Sequence, residues 1–386
     1  MSRVKLKNIT VSITDGKHGD CKGQDNSGFY FVSCKDVFDG AIHYENSRQI
    51  TKEDFLDADR RTNLAPNDIL ITNSGTIGRM ALVKDIPETR RTTFQKSVAI
   101  VKPKIDMVLP FYLYYLLHSK VNDFINSSNG AAQKNLLLST MRDFDLEIED
   151  DMSTQHRIAT ILSRYDSLIE NYQKQIKLLE EAAQRLYKEW FVDLHFPGHE
   201  NTKIVDGVPE GWERRTLDSF CSVFTGKKNA NQGVLNGIYK FFTCGDTPLL
   251  INSYIFDGPA IIISGNGSYT GRTTFYEGKF DLYQRTYACT MRDMENQNLI
   301  YGLYEIVKCE LTNKISGGTH GAAIPYIVMS DVTKFDFLFN ESIMRCFSEK
   351  IGRLLSLSSS LSSQIRLLTE ARDRMLPKLM DGEIEV

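Results

Sequence analysis

The stretch that most constrains the fold is residues 155–191, where large apolar or small side chains recur at alternating steps of four and three. The recurring positions are Ile158, Leu162, Tyr165, Ile169, Tyr172, Ile176, Leu179, Ala183, Leu186 and Trp190. A repeat of 3.5 residues keeps one face of a helix against the same partner helix along its whole length. No Gly or Pro interrupts the stretch, and a helix of this length spans about 50 Å. Such a helix is expected to need a partner.

The same chain contains the partner. Residues 175–182, QIKLLEEA, reappear as residues 364–371, QIRLLTEA, a shift of 189 residues. We call the ten recurring positions of a helix its seam. Shifted by that amount, the seam of the second helix is Phe347, Ile351, Leu354, Ser358, Leu361, Ile365, Leu368, Arg372, Met375 and Leu379. All of these positions are apolar except Ser358 and Arg372. The shared register indicates an internal duplication rather than two unrelated amphipathic helices that pack on their own domains.

The segments before each helix also repeat. In the first segment, short β-like runs at 29–32, 69–72 and 97–101 alternate with Gly, Asn and Asp turns, and one helix is predicted over 111–124. The strand and glycine loop at 69–79 correspond to residues 261–272, and residues 31–36 correspond to 241–246. A compact domain has its two chain ends close together, so the second helix is expected to run back along the first.

The predicted fold class is therefore α+β, with two repeated mixed α/β domains separated by two long helices. The helices are expected to form an antiparallel coiled coil with approximate two-fold symmetry. The predicted boundaries are 1–150 for the first domain, 151–196 for the first long helix, 197–212 for a linker, 213–340 for the second domain, and 341–386 for the second long helix and C-terminal tail.

Composition limits the classes of protein that fit. The net charge of −3 gives no general attraction to nucleic acid, so any DNA contact must depend on local basic patches. The seven cysteines and seven histidines show no metal-ligand spacing, and reduced thiols are expected. The N-terminus has no signal peptide, and no apolar run is long enough to cross a bilayer. We therefore expect a soluble cytoplasmic protein without a metal site.

Three parts of the sequence resemble the specificity subunit of Type I DNA restriction–modification enzymes. They are the strand and loop at 68–78, the helix start at 155–159 and the segment 209–212 before the second domain. The resemblance covers essentially the whole chain. It implies that each globular domain is a target-recognition domain that reads one half of a split double-stranded DNA site. The second loop differs in sequence, and the region before it is shorter by about 17 residues, as suits domains that read different sequences.

The resemblance also implies a set of partners. The two helices would set the separation of the half-sites and dock two methyltransferase subunits, and restriction and translocase subunits would complete the complex. The chain itself would be non-catalytic and hold no cofactor, since S-adenosylmethionine, ATP and Mg would belong to the partners. In agreement, the sequence lacks the amino-methyltransferase motif, a clear S-adenosylmethionine glycine motif and a helicase loop.

The two glycine loops are the best candidates for DNA contact. Glycines let backbone N–H groups approach phosphate, and Ser, Thr and Asn side chains bond to phosphates or base edges. An arginine closes each loop, and a Gln–cation pair recurs in each repeat, so guanine and adenine are possible targets. Structural turns and solvated charge are the alternative explanation. The candidates are Asn73, Ser74, Thr76, Arg79, Gln95, Lys96, Lys134, Asn266, Ser268, Tyr269, Arg272, Gln284, Arg285 and His320.

Two other functions remain open from the sequence. The first is a scaffold that carries two protein-binding modules on a coiled-coil spacer, which the acidic net charge slightly favours. The second is a self-contained nuclease with an unrecognised carboxylate site. Steep salt dependence of duplex binding would distinguish a DNA-reading protein from the scaffold. Metal-dependent cleavage by the purified chain would indicate the nuclease.

Overall fold

The computed structural model describes residues 1–128, 134–315 and 326–386, and the chain divides into two compact units. The first unit contains Met1–Asn171 and Ile365–Val386, and the second contains Tyr172–Gln364. Each unit therefore combines one sequence repeat with a part of both long helices. Within the described ranges, none of the helices combines the length and the apolar character needed to span a lipid bilayer.

The first unit begins with short strands and helices that precede the first long helix. Its strands are β1 (Ser2–Lys5), β2 (Thr10–Asp15), β3 (Tyr30–Val32), β4 (Val37–Phe38), β5 (Ala41–Ile42), β6 (Arg48–Gln49), β7 (Ile69–Thr72), β8 (Met80–Leu82), β9 (Thr92–Phe94), β10 (Val98–Pro103) and β11 (Asp145–Ile148). Its helices are α1 (Lys52–Thr62), α2 (Pro110–Ser119), α3 (Val121–Asn126), α4 (Leu138–Arg142) and the beginning of α5 (Met152–Tyr187).

The first domain contains two larger sheets and a two-stranded antiparallel sheet formed by its first and last strands. One antiparallel sheet has the order β2-β10-β7-β8, and a smaller sheet has the order β6-β3-β9 with β3 and β9 parallel. The first and last strands, β1 and β11, pair from Ser2 with Ile148 to Lys5 with Asp145. The chain thus enters and leaves the domain at adjacent points, and α5 follows directly.

The second unit repeats this plan. Its strands are β12 (Ile204–Val205), β13 (Val208–Pro209), β14 (Glu213–Thr216), β15 (Cys221–Thr225), β16 (Tyr239–Phe242), β17 (Leu249–Ile251), β18 (Phe256–Ser264), β19 (Thr273–Leu282), β20 (Thr286–Met291) and β21 (Asp336–Phe339). Its helices are α6 (Leu299–Ile315), α7 (Met329–Thr333) and the long α8 (Glu341–Met380). β14 and β21 pair as β1 and β11 do.

The main sheets differ between the two units because of one strand. In the second unit, the ten-residue β19 pairs with β18 on one side and with β16 on the other, which gives a continuous sheet β15-β20-β18-β19-β16-β17. In the first unit, the corresponding stretch is split into β8 and β9 by a 3-10 turn that begins at Pro87. β8 pairs with β7 and β9 pairs with β3, so the first unit has two separate sheets.

The two long helices pack together in opposite directions. In the first unit, the beginning of α5 meets the end of α8, where the Tyr165 hydroxyl lies 3.2 Å from the Met375 Sδ. In the second unit, the end of α5 meets the beginning of α8, where the ring centroids of Phe191 and Phe347 are 4.8 Å apart. Two repeated domains with two long antiparallel helices confirm the predicted fold class.

The helices contribute to the core of each domain as well as to each other. In the first unit, Leu162 of α5 and Leu379 of α8 are fully buried in one cluster with Tyr112 of α2. In the second unit, Trp190 and Phe347 belong to one cluster with residues of α6. Burial of a large apolar side chain is worth about 1.5–3 kcal/mol. Each domain is therefore anchored to both helices by a shared core.

The burial of the helix residues follows the 3.5-residue repeat. Every predicted seam position on α5 and α8 is buried or half-buried. By contrast, four leucines that lie off the seam are exposed: Leu168, Leu178, Leu357 and Leu367. Leu178 and Leu179 are adjacent in sequence, yet Leu178 is 62% exposed while Leu179 faces inward. The register of the repeat decides which leucine is covered.

Two local features differ from the sequence-based expectation of regular helices. The single helix predicted over 111–124 is divided into α2 and α3 at Lys120, whose backbone angles of φ −100° and ψ 12° lie outside the helical range. At the end of α5, residues Lys188–Val192 form a π-helical turn. The extra residue in this turn allows two successive aromatic side chains, Trp190 and Phe191, to be buried.

The neighbouring leucines provide a test of the seam. Leu179→Asp should place an uncompensated carboxylate between the helices and lower the free energy of unfolding by about 2–3 kcal/mol. Leu178→Asp is the matched control, and it should change the stability by less than about 0.5 kcal/mol because this side chain faces solvent. Thermal unfolding followed by circular dichroism measures both. Equal melting temperatures for the two variants would contradict the seam register.

Candidate nucleic-acid interface

Three segments of the first unit meet at one edge of its four-stranded sheet. After β2, the Lys17 N–H donates to the Phe94 carbonyl at 2.7 Å, and the Lys96 N–H donates to the Lys17 carbonyl at 3.2 Å. After β7, the Asn73 N–H donates to the Ser97 carbonyl at 3.0 Å. The glycine loop between β7 and β8 and the turn between β9 and β10 therefore lie side by side.

The second unit builds the same edge from the corresponding residues. The Gln284 N–H donates to the Lys228 carbonyl at 3.0 Å, and the Gly265 N–H donates to the Arg285 carbonyl at 2.9 Å. The next residue, Asn266, forms a β-bridge with Tyr326, as Ser74 does with Asn135 in the first unit. The loop between β18 and β19 and the turn between β19 and β20 thus take the same relative positions as in the first unit.

A glycine without an obvious role in the sequence fixes this edge in both repeats. A Cβ on Gly16 would lie 2.1 Å from the Phe94 carbonyl oxygen, and one on Gly226 would lie 1.7 Å from the Leu282 carbonyl oxygen. Neither position can therefore hold a side chain without moving the backbone. Glycine is required where the segment after β2 or β15 crosses close to the neighbouring strand.

Most of the predicted contact residues are accessible. Exposed candidates are Thr76, Arg79, Lys96, Lys134, Ser268, Tyr269, Gln284 and Arg285, and half-buried candidates are Ser74, Gln95, Asn266 and Arg272. Asn73 is only 6% exposed, and its Oδ1 has no hydrogen-bond partner in the described part of the chain. It lies beneath the loop rather than on its surface. His320 lies outside the described residues.

The two loop arginines occupy equivalent backbone positions. In the first loop, the Thr72 N–H donates to the Arg79 carbonyl at 2.8 Å. In the second loop, the Ser264 N–H donates to the Arg272 carbonyl at 2.9 Å. The correspondence predicted between these arginines therefore agrees with the backbone pairing that closes each loop.

The two arginine side chains nevertheless have different surroundings. The Arg272 guanidinium forms an ion pair with Asp246 at 2.6 Å, donates to the Gly245 carbonyl at 2.8 Å and lies 4.6 Å from the centroid of the Tyr269 ring. The Arg79 side chain is exposed and has no ion pair or hydrogen bond among the described residues. Arg272 thus ties its loop to the segment after β16, whereas Arg79 is available to bind an anion.

The lysines of this edge also fall into two groups. The Lys17 Nζ lies 3.0 Å from Asp57, and this hydrogen bond raises the pKa of Lys17. The Lys228 Nζ lies 3.7 Å from the buried Asp281. Lys96 and Arg285, in contrast, are exposed and form no ion pair within the described ranges. Of these four cations, those available to a phosphate are therefore the two on the turns before β10 and β20.

One accessible cation was missed by the sequence analysis. Lys35 is exposed on the loop after β3, and the N–H of the preceding Cys34 donates to the Ser97 Oγ at 3.2 Å. The loop therefore reaches the same edge as Lys96. The repeat of residues 31–36 in residues 241–246 was the available signal, because it marks the same loop in both domains, but it carries no pattern specific to DNA contact.

This edge offers hydroxyl, amide, ammonium and guanidinium groups, which bind phosphates and base edges. Within residues 1–128, 134–315 and 326–386, no group of three or more His, Cys, Asp or Glu side chains is placed to hold a metal ion. The same edge occurs twice, once in each repeat. A polar and cationic edge that occurs twice is typical of a protein with two nucleic-acid-binding domains.

Comparison with known proteins identifies the family. Residues 20–181 and 209–337 match the Type I restriction modification DNA specificity domain. The MjaIX specificity subunit of Methanocaldococcus jannaschii is 28% identical over 347 residues, which cover 82% of this chain and 78% of that protein. The EcoDI specificity subunit of Escherichia coli is 32% identical over 182 residues, which cover 46% of this chain and 39% of that protein.

A solved structure has a similar fold. The crystal structure of the Type I restriction–modification S subunit from M. genitalium aligns with a TM-score of 0.61 at 14% identity, over 98% of this chain and 95% of that one. The chain belongs to the family of Type I restriction–modification DNA specificity proteins. It is a non-catalytic specificity subunit with two target-recognition domains.

The different surroundings of the loop arginines lead to a stability prediction. Arg272→Ala should remove the ion pair with Asp246 and the hydrogen bond to Gly245 and lower the free energy of unfolding by about 1–2 kcal/mol. The matched variant Arg79→Ala should leave it unchanged within about 0.5 kcal/mol, because that side chain has no partner in the described structure. Urea unfolding compares the two. Equal loss in both variants, or loss in Arg79→Ala alone, would contradict this difference.

Proposed function

We propose that the two domains read the two halves of a split target in double-stranded DNA, each through the sheet edge that carries its glycine loop. The observation that carries the proposal is the same accessible edge built twice, with free cations at matching positions. Phosphate contacts from Lys96 and Arg285 would orient each domain on the duplex, and loop side chains would read base edges.

The differences between the two edges support different half-sites. Lys96 in the first turn corresponds to Arg285 in the second, and Ser74 in the first loop corresponds to Asn266 in the second. Lysine is a point charge, while arginine presents a planar fork of donors that matches guanine or phosphate. The first domain also has α1 between β6 and β7, whereas in the second domain β18 follows β17 directly.

The helix pair is proposed to separate the half-sites and to dock two methyltransferase subunits, with restriction and translocase subunits as further members of the complex. Methyl transfer with S-adenosylmethionine, and cleavage with ATP and Mg, would belong to those partners. The support is the set of exposed leucines on α5 and α8, which offer apolar contacts off the seam. The four positions fall into two pairs separated by the repeat shift of 189, Leu168 with Leu357 and Leu178 with Leu367, which suits two copies of one partner.

A pair of lysines that flank β10 tests the location of the DNA interface. Lys96→Ala should weaken binding to all duplex sequences and reduce the salt slope by about one, because one phosphate contact is lost. Lys104→Ala, at the opposite end of the same strand, is the matched control and should change neither quantity. Fluorescence anisotropy over a range of salt concentrations measures both. A salt slope that falls only for Lys104→Ala would move the interface to the other end of the sheet.

Exchange of the second domain tests the division of labour between the domains. Glu213 of β14 pairs with Phe339 of β21, and the Asn340 side chain donates to the Gly211 carbonyl at 2.9 Å, so both ends of segment 213–340 lie together. Replacing this segment with that of a relative of different specificity should change one half of the methylated motif. The other half and the spacer should stay the same, because α5 and α8 are both retained.

The readout is methylome sequencing of cells that carry the complete system with either the native or the hybrid chain. The reciprocal hybrid, in which residues 1–150 are exchanged, is the control and should change the opposite half. A hybrid that methylates a motif altered in both halves would show that the two domains read DNA jointly, and the proposal of separate half-sites would then be wrong.

A further inference from the structure

A charged pair lies inside the helix pair in the first unit, at a position where the repeat predicts an apolar contact. The Arg372 Nη1 of α8 lies 2.6 Å from the Asp166 Oδ1 of α5. The Tyr115 hydroxyl of α2 donates to the other oxygen of the same carboxylate at 2.5 Å. The two charged side chains are only 22% and 32% exposed. Arg372 interrupts the apolar seam of α8 but is fully paired.

The surroundings maintain the positive charge of Arg372 and the proton of the Tyr115 hydroxyl. Burial opposes the charge of Arg372, but hydrogen bonds to Asp166 and then to Asp373 more than compensate and raise the pKa of Arg372. Burial, followed by the charge of Asp166, raises the pKa of Tyr115, so its hydroxyl keeps the proton that it donates. A buried pair of this kind adds little net stability, yet removal of one partner is strongly destabilising.

At the other end of the helix pair, the described residues form no such contact. The repeat shift of 189 relates Asp166 to Leu355 and Arg372 to Ala183, and both of these residues belong to the apolar core of the second unit. Tyr115 corresponds to Tyr304, which is also buried. The two ends of a duplicated structure therefore differ by one ion pair, which is divided between the two helices.

This division has a consequence for helix pairing. α5 and α8 descend from one repeat and keep similar seams, so α5 of one chain can in principle pair with α5 of a second copy in the same register. In that pairing, Asp166 would face Ala183 of the other copy. In the equivalent pairing of two α8 helices, Arg372 would face Leu355. Each wrong pair would bury two unpartnered charges.

We propose that Asp166 and Arg372 select the pairing of α5 with α8 against pairing of either helix with its own kind. Only the α5–α8 pair satisfies both charges. A single polar contact within an apolar seam commonly sets the register and the choice of partner in this way, at some cost in stability. The selection operates in the helix pair and does not depend on DNA recognition.

The test uses the full-length chain, in which Asp166 and Arg372 are replaced by the residue types found at the corresponding positions of the second unit. Asp166→Leu with Arg372→Ala should keep the fold and a melting temperature at or above that of the native chain. It should also raise the fraction of chains paired with a second copy by at least about tenfold. Two copies with different tags are co-expressed, and the co-purified fraction and the mass from light scattering are measured.

Two further variants separate selection from general effects. The charge exchange Asp166→Arg with Arg372→Asp restores a cross-helix pair and should return the co-purified fraction to the native value. Arg366→Ala with Glu370→Leu removes an exposed ion pair within α8 and adds one leucine, so it controls for lost charge and added apolar surface. It should also behave as the native chain does.

The outcomes decide the proposal. An apolar double variant that is folded and co-purifies no more than the native chain would overturn it. The same holds if the exposed-pair control co-purifies as strongly as the apolar variant. If Arg372→Ala alone is too unstable to purify, the double and charge-exchanged variants still give the answer, because neither leaves an uncompensated charge between the helices.

Discussion

The apolar stripe along α5 must be covered, and the architecture follows from how it is covered. A helix of 36 residues with one continuous seam exposes too much apolar surface to stand alone in water. α8 covers that seam, and the ends of both helices extend into the core of each domain. Trp190 and Phe347 in the second unit, like Leu162 and Leu379 in the first, belong to a helix seam and a domain core at once. The helices and domains therefore stabilise one another.

An acidic chain that reads DNA must present its positive charge locally. The net charge is −3, yet the two turns at the sheet edges carry Lys96 and Arg285 without acidic partners in the described residues. Lys17 and Lys228, on the adjacent segments, are neutralised by Asp57 and Asp281. The field at each edge thus comes from a few free groups rather than from the whole surface, which favours a defined orientation on the duplex over general adhesion.

The sequence predicts the architecture well because its main signals are periodic or repeated. The 3.5-residue repeat identifies the buried side of α5 and α8, and the internal duplication relates the strands and loops of the two domains. The sequence does not predict which side chains pair with each other when the pairing depends on tertiary structure. Arg79 and Arg272 look alike in sequence, but of these two only Arg272 forms an ion pair with an aspartate in the described part of the chain. Arg372 looks like a flaw in the seam because its partner, Asp166, lies off the seam positions of α5.

Backbone angles and side-chain surroundings likewise decide details that local sequence patterns do not show. The break at Lys120 and the continuous β19 each depend on the backbone angles of a few residues. The candidate interface was predicted at the level of loops. The sequence does not assign its individual contacts, because residues of the same type differ in exposure and in ion pairing. Lys96 is exposed, for example, whereas Lys17 forms an ion pair.

The first unit is built from two segments that are far apart in the chain, and this sets the order in which the units can fold. Leu162 and Leu379 share one core but are separated by 217 residues in the chain. At a synthesis rate of 5–20 residues per second, the second arrives about 10–40 s after the first. During that interval the second domain can acquire its own core, since its share of both helices is synthesised within one continuous segment. The domain that the ribosome makes first is therefore the one that is completed last.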